Sequence, residues 1–210
     1  MMKEKNLAGA NFSVRSSEDE DFAGANLAGA NFSGRSFEHK NFAGANLAGA
    51  DFQGSHLTGS DFTNSTLTGA NLSYALLVHA NFADASLAGA NLSEANLAGI
   101  DLARANLTGV NFTNSNLAGA NLTKANLSDA NLAGTNLAGA NLASVNLSKV
   151  YLAGTNLAGA NLRGANFMGA SLIRTYLMGA NLTNTNFKDA TLVGVDFSGA
   201  DLKNANSLER

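Results

Sequence analysis

A bulky apolar residue returns every five positions along this chain and never loses phase. From Leu7 to Leu202 the 40 positions so spaced hold Leu or Phe 39 times, with Ser17 the exception. Two residues earlier the chain is small: between Ala45 and Ala205 that position is Ala, Ser, Thr or Val, and Ile100 is the one departure. Asn or Asp mostly stands just before the Leu or Phe, and all 22 glycines fall two residues after it, from Gly9 and Gly24 to Gly199. A period of five matches neither the 3.6 of an α-helix nor the 2 of a half-buried strand. A helix on this pattern would lack an apolar stripe, and each interior glycine would cost it about 1 kcal/mol.

Five residues do make one short extended side and one corner. Glycine belongs at the corner, where a positive φ brings no Cβ clash. Asn and Asp suit the approach to it, because their side chains bond nearby backbone. The Leu or Phe and the small residue two before it then point inward together. The segment Asn6 to Arg15 (NLAGANFSVR) recurs as Asn26 to Arg35 (NLAGANFSGR), and Asn131 to Ala140 is echoed at Tyr151 to Ala160. Residues twenty apart are therefore expected to stack, one coil on the next. On that register Phe22, Phe42, Phe62 and Phe82 form one column.

The triplets Ala90-Asn91-Leu92, Ala120-Asn121-Leu122 and Ala160-Asn161-Leu162 typify the chain. In these it resembles the pentapeptide-repeat family, whose motif reads A(D/N)LXX, over residues 6 to 206. The resemblance implies an all-β fold: a right-handed quadrilateral β-helix (a β-solenoid) with four pentapeptides per coil. About ten coils at about 4.8 Å each make a rod near 48 Å long. The expected organisation is an N-terminal edge and irregular first coil at 1–21, the solenoid at 22–206 and a polar tail at 207–210. Arg15, Glu20, Arg35 and Lys40 occupy positions that should be small and inward. They predict a loosened, outward-bulged corner that blunts an edge with charge. Glu20 is placed to pair with Lys40, and an anion site between Arg15 and Arg35 is the alternative.

Little in the chain points to chemistry. Without cysteine there is no disulfide and no thiolate ligand for a metal. On the twenty-residue grid His39 and His79 share a column two coils apart, about 10 Å, which is too far for one metal ion; His56 lies on another column. All three read as solvated surface residues. Asp21, Asp61 and Asp101 alternate with Asn41 and Asn81, which keeps like charges apart and argues against a calcium row. No Ser or Thr stands with a His and a carboxylate in a nucleophilic pattern. The corner glycines are geometric and cradle no phosphate. No enzyme, cofactor or metal is expected. Neither a signal peptide nor a membrane span is read, so a cytoplasmic protein is the expectation.

The surface is more informative. Five acids (Asp51, Asp61, Asp84, Glu94, Asp101) and no Lys or Arg lie between Asn41 and Ala103. Six bases (Arg104, Lys124, Lys149, Arg163, Arg174, Lys188) against Asp129 alone follow from Arg104 to Lys188. At outward phases stand two apolar clusters: Tyr74, Leu76 and Val78, then Tyr151, Met168, Ile173, Tyr176 and Met178. They are the candidate interaction patch. The first reading is therefore a non-catalytic structural or protein-interaction scaffold with an unknown protein partner. The resemblance adds a homodimer through the solenoid ends, and a kinship with a family abundant in cyanobacteria. It also supplies the alternative, a DNA-mimicking regulator of gyrase or topoisomerase, which calls for a longer acidic surface than this one. Direct nucleic-acid binding is not expected at a net charge of −3. Ice or surface binding ranks last, because Thr58, Thr63 and Thr68 fall on successive sides.

Overall fold

The computed structural model describes residues 5–14 and 21–207. Every bridge among them is parallel and joins a residue to the one twenty positions on, from Asn6↔Asn26 to Asn186↔Asn206. One coil is thus four pentapeptides. The first side carries Asn26, Asn46 and Thr66; the second Asn31, Asp51 and Asn71; the third Ser36, His56 and Leu76; the fourth Asn41, Asp61 and Asn81. Each side contributes a single bridging residue, and no longer strand forms among the described residues. The next turn begins too soon after the bridge for a second to follow.

The period works because it gives all five backbone N–H groups an acceptor. In the repeat from Asn116, Asn116 N–H bonds back to Ala95 O at 3.0 Å, while Leu117 and Gly119 bond forward to Asn136 O and Ala138 O at 2.7 and 3.0 Å. Ala120 N–H closes the turn on Leu117 O at 3.1 Å. Ala118 N–H donates to Asn116 Oδ1 at 3.2 Å, the local bond that Asn was expected to make. The same side chain also donates from Nδ2 to Asn96 Oδ1, one coil back, at 3.3 Å. Asn is therefore both turn cap and inter-coil rung. Gly119, at φ +67°, supplies the positive φ that the third turn position demands.

Leu and Phe fill the axis, fully buried from Phe22 to Phe187. The expected aromatic column is present: Phe22–Phe42, Phe42–Phe62 and Phe62–Phe82 stack at 4.9, 4.7 and 4.4 Å between centroids. A second column, Phe12–Phe32–Phe52, stacks at 4.8 and 4.5 Å. The two interleave edge to face, with Phe42 at 5.7 Å from both Phe32 and Phe52. Buried hydroxyls at the small position are satisfied by backbone, as in Thr155 Oγ1 to Leu132 O at 2.6 Å and Thr175 Oγ1 to Leu152 O at 2.8 Å.

At its described half the corner is loosened but keeps its register: Arg35 N–H lacks the turn-closing bond that Ala30 and Lys40 make to Leu27 O and Phe37 O at 3.0 and 3.3 Å. Arg35 is exposed, yet its carbonyl accepts His56 N–H at 2.9 Å, and Lys40 O accepts Asp61 N–H at 3.0 Å. The Arg35 side chain turns outward while the backbone keeps its register. Arg15, Ser17 and Glu20 lie outside the described residues, and the Arg15–Arg35 and Glu20–Lys40 pairings with them.

Phe42→Ala removes a ring held between two stacked and two edge-on neighbours, and a loss of about 3–5 kcal/mol is expected. Urea unfolding followed by circular dichroism measures it, and a loss below about 1 kcal/mol contradicts the packing.

Candidate interaction surface

Outward positions are of three kinds on this rod: the bridging residue in mid-side and the two corner residues after it. The second corner residue has φ > 0 at Gly9 and at every corner from Gly24 to Asn204. Beyond the glycines, sixteen residues adopt it there, among them His39, Tyr74, His79, Asp84, Glu94, Arg104, Lys124, Lys149 and Arg174. An L side chain in this region costs roughly 1–2 kcal/mol relative to glycine.

The histidines are all exposed, and no cluster of three His, Cys, Asp or Glu fit for a metal occurs among the described residues. His39 and His79 sit at the corner after the third side, alternating with Gly59 and Gly99. Each ring fills the space a Cβ on the following glycine would need: one on Gly59 would lie 2.5 Å from His39 Nδ1, and one on Gly99 the same from His79 Nδ1. One corner along, after the fourth side, Arg104 clasps Asp84 of the preceding coil through two bonds, 2.7 Å from Nε and 2.5 Å from an Nη. Hydrogen-bonded to that guanidinium, the Asp84 carboxyl is held below the ordinary carboxylate value.

The sequence-predicted apolar residues fall on two adjoining sides. Tyr151 is in mid-side on the second, with Met168 and Ile173 at its two corners one coil on. Tyr176 and Met178 lie around the corner on the third. Leu76 and Val78 share that third side, with Tyr74 at the corner leading into it, but Leu76 and Tyr176 stand five bridges apart, about 24 Å. Tyr74 (60% exposed), Tyr151, Tyr176 and Met178 are open to solvent, while Val78 and Ile173 are half-buried. The five residues of the later cluster thus wrap two adjoining sides, with Ile173 at the corner between them. Val193, 61% exposed and one coil beyond Ile173, extends the second-side patch. Its phase made it legible in the sequence, as did that of exposed Val14.

These patches coincide with breaks in the asparagine pattern. From Asn6 to Asp201, every described Asn or Asp at a bridging position accepts the N–H of the residue two ahead, as at Asn156 with Ala158 (3.0 Å) and Asp196 with Ser198 (2.9 Å). At Leu76, Tyr151, Ser171, Tyr176 and Thr191 no such carboxyl or amide exists. The N–H groups of Val78, Ala153, Ile173, Met178 and Val193 accordingly have no protein acceptor in the structure.

Comparison with known proteins follows the repeat. A family model described as a pentapeptide repeat region matches residues 35–112, and one described as pentapeptide repeats (8 copies) matches 105–143, 120–153, 146–184 and 170–206. No curated protein matches the chain. Among solved structures it is similar to HetL of the cyanobacterium Nostoc sp. strain PCC 7120, a pentapeptide repeat protein involved in heterocyst differentiation regulation. The two are 32% identical, with 86% of each chain covered and a TM-score of 0.43. It is also similar to a trypsin-treated form of QnrB1, a plasmid-mediated fluoroquinolone resistance protein, at 22% identity, 82% and 91% coverage and a TM-score of 0.52. A pentapeptide repeat protein of the Arabidopsis thaliana thylakoid lumen is 33% identical over 59% of this chain and 69% of its own, with a TM-score of 0.36.

Two substitutions test the corners. Gly59→Ala meets both a positive φ and the His39 ring, whereas Gly119→Ala meets the φ alone because nothing lies within 4 Å. Gly119→Ala is expected to cost about 1–2 kcal/mol, and Gly59→Ala more. His39→Ala should return the excess, an interaction read from the double-mutant cycle. In carboxyl NMR titrations Asp84 is expected to titrate below an ordinary Asp and to move back up in Arg104→Gln. The sign follows: its contribution to stability is present above the unfolded pKa and is lost as pH falls through the depressed folded one.

Proposed function

We propose, since the chain belongs to the pentapeptide-repeat family, that it is a non-catalytic scaffold whose rod presents apolar patches to a protein partner. The observation that carries this reading is the loss of Asn or Asp at Tyr151 and Tyr176, each beside an exposed apolar neighbour. The rod gives up a turn cap and a rung at each, and a large half-exposed aromatic stands there instead. Aromatic residues and methionine are what interface cores favour. A local rule broken without gain to the fold marks a position held for something else.

The frame of the scaffold is taken as the family's right-handed quadrilateral coil, about ten coils long, with the cytoplasm as its place. No helix among the described residues is long and apolar enough to cross a membrane.

Tyr176→Asn is expected to restore the cap to Met178 N–H and the rung to Asn156, and so to raise stability by about 1 kcal/mol in denaturant unfolding. A supercoiling assay with purified gyrase separates the scaffold from a DNA mimic. No inhibition or protection is expected at micromolar protein, and a clear effect would replace the scaffold with the topoisomerase-regulator reading.

A further inference from the structure

The charge split along the sequence becomes a more specific pattern once residues are assigned to sides. On the fourth side and its following corner, Asp21, Asp61, Asp84 and Asp101 occupy the early coils. Arg104, Lys124, Arg163 and Lys203 occupy the later ones, with one acid among them, Asp201, in mid-side beside Lys203. Apart from that last acid, the face changes sign near its midpoint. Arg104 and Asp84 close on each other at the change, which leaves Asp21, Asp61, Asp101 and Asp201 with three bases. Asp61 and Arg163 each lie 51 positions from Phe112, Asp21 and Lys203 each lie 91, and Asp101 and Lys124 lie 11 and 12. Since twenty positions make one coil, Asp21, Asp61 and Asp101 mirror the three bases about a single axial level, while Asp201 has no mirrored base.

We infer that the fourth side is a self-association surface on which a second copy of this chain lies antiparallel. A two-fold axis across the rod at the level of Phe112 sets Asp21, Asp61 and Asp101 of one copy opposite Lys203, Arg163 and Lys124 of the other, and the reverse. Such an isologous contact closes at two copies, whereas parallel rods would set like charge on like and a staggered stack would run on as a filament. The Asp carboxylates lie in mid-side and the bases at the corner, so the long flexible Lys and Arg stems supply the reach. The Asp61 carboxyl is fixed by Thr63 N–H at 2.9 Å and that of Asp101 by Ala103 N–H at 2.9 Å and Asn121 Nδ2 at 3.1 Å. Lys40 borders the face at the corner preceding Asn41, and Asp201, on the face itself beside Lys203, meets the partner's Asp21 end, so the outermost level contributes least. A face about 10 Å wide and about 48 Å long is small among protein interfaces. The dimer is accordingly weak and dependent on low salt, because exposed charges are screened.

Sedimentation equilibrium and small-angle scattering across about 10 mM to about 1 M salt, over which the Debye length falls from about 30 to about 3 Å, test the inference. The expected result is a concentration-dependent dimer at low salt with the length of one rod and twice its cross-section, reverting to monomer at high salt. The dimer should be lost in Lys124→Glu/Arg163→Glu. It should also be lost in Asp61→Asn/Asp101→Asn, which keeps the turn caps and removes only the charge. Equal circular dichroism and unfolding midpoints confirm that each variant is folded. A monomer at every salt, a salt-resistant dimer, a particle of doubled length as ends would give, an open-ended polymer, or a folded charge variant that still dimerises would each overturn it.

Discussion

Every feature of this rod depends on one requirement: a chain that turns a corner every five residues must still find acceptors for all its backbone N–H groups. Three point to neighbouring coils and one closes the turn, as the Asn116 repeat shows. The fifth, on the first corner residue, has no backbone carbonyl in reach and depends on a side chain. Asn meets that need with Oδ1 and, through Nδ2, ties itself to the coil before. Asp meets only the first half. This explains why Asp51 and Asp101 are tolerated beneath Asn71 and Asn121, whose amides donate to them at 3.0 and 3.1 Å. It also explains why Asp is sparse among the bridging residues.

The core follows from the same register. With one inward Leu or Phe per side and exact stacking at twenty residues, identical residues meet face to face. Aromatic rings therefore gather in columns of near-parallel pairs instead of the mixed packing of an irregular core. Two such columns interleaved edge to face make the early coils aromatic; beyond Phe82 the same columns are mostly Leu, with Phe112 the aromatic return. Side-chain hydroxyls at the small position fit without penalty, since a turn carbonyl always lies beside them.

Period, phase, inward residues and coil length were legible in the sequence because each depends on one residue type recurring at one spacing. The column of Phe22, Phe42, Phe62 and Phe82 was legible for the same reason. Its companion, Phe12–Phe32–Phe52, carried the same signal and is seen only when the two columns are set side by side. What spacing alone did not reveal are properties of pairs. The rung from Asn116 to Asn96 exists only because both residues are Asn, and the His39 ring has room only because Gly59 is glycine. Arg35 shows the opposite limit: a charge at an inward phase predicted a distorted corner, and the turn-closing bond to Phe32 O is lost there, but one long side chain turned outward and left the inter-coil register unchanged. For the surface, outward phase was readable, yet assigning Tyr151 and Tyr176 to different sides required the bridge register.

In so repetitive a chain, function is written in the departures, and the bonding scheme ranks them. Losing one Asn removes a turn cap and also the acceptor for the next coil's amide, so the second departure in a column forfeits less than the first. Departures should therefore come in runs, and they do: Ser36, His56 and Leu76 on the third side, Thr66 and Ser86 on the first, Tyr151, Ser171 and Thr191 on the second. Tyr176 is different. It stands alone between Asn156 and Asp196, forfeiting the cap to Met178 and a rung to an Asn156 that is present and able to accept. No neighbouring loss offsets it, and its ring is half exposed. Of all the described positions on this rod, Tyr176 is where the demands of the fold are overridden most completely, and a partner surface would account for what replaced them.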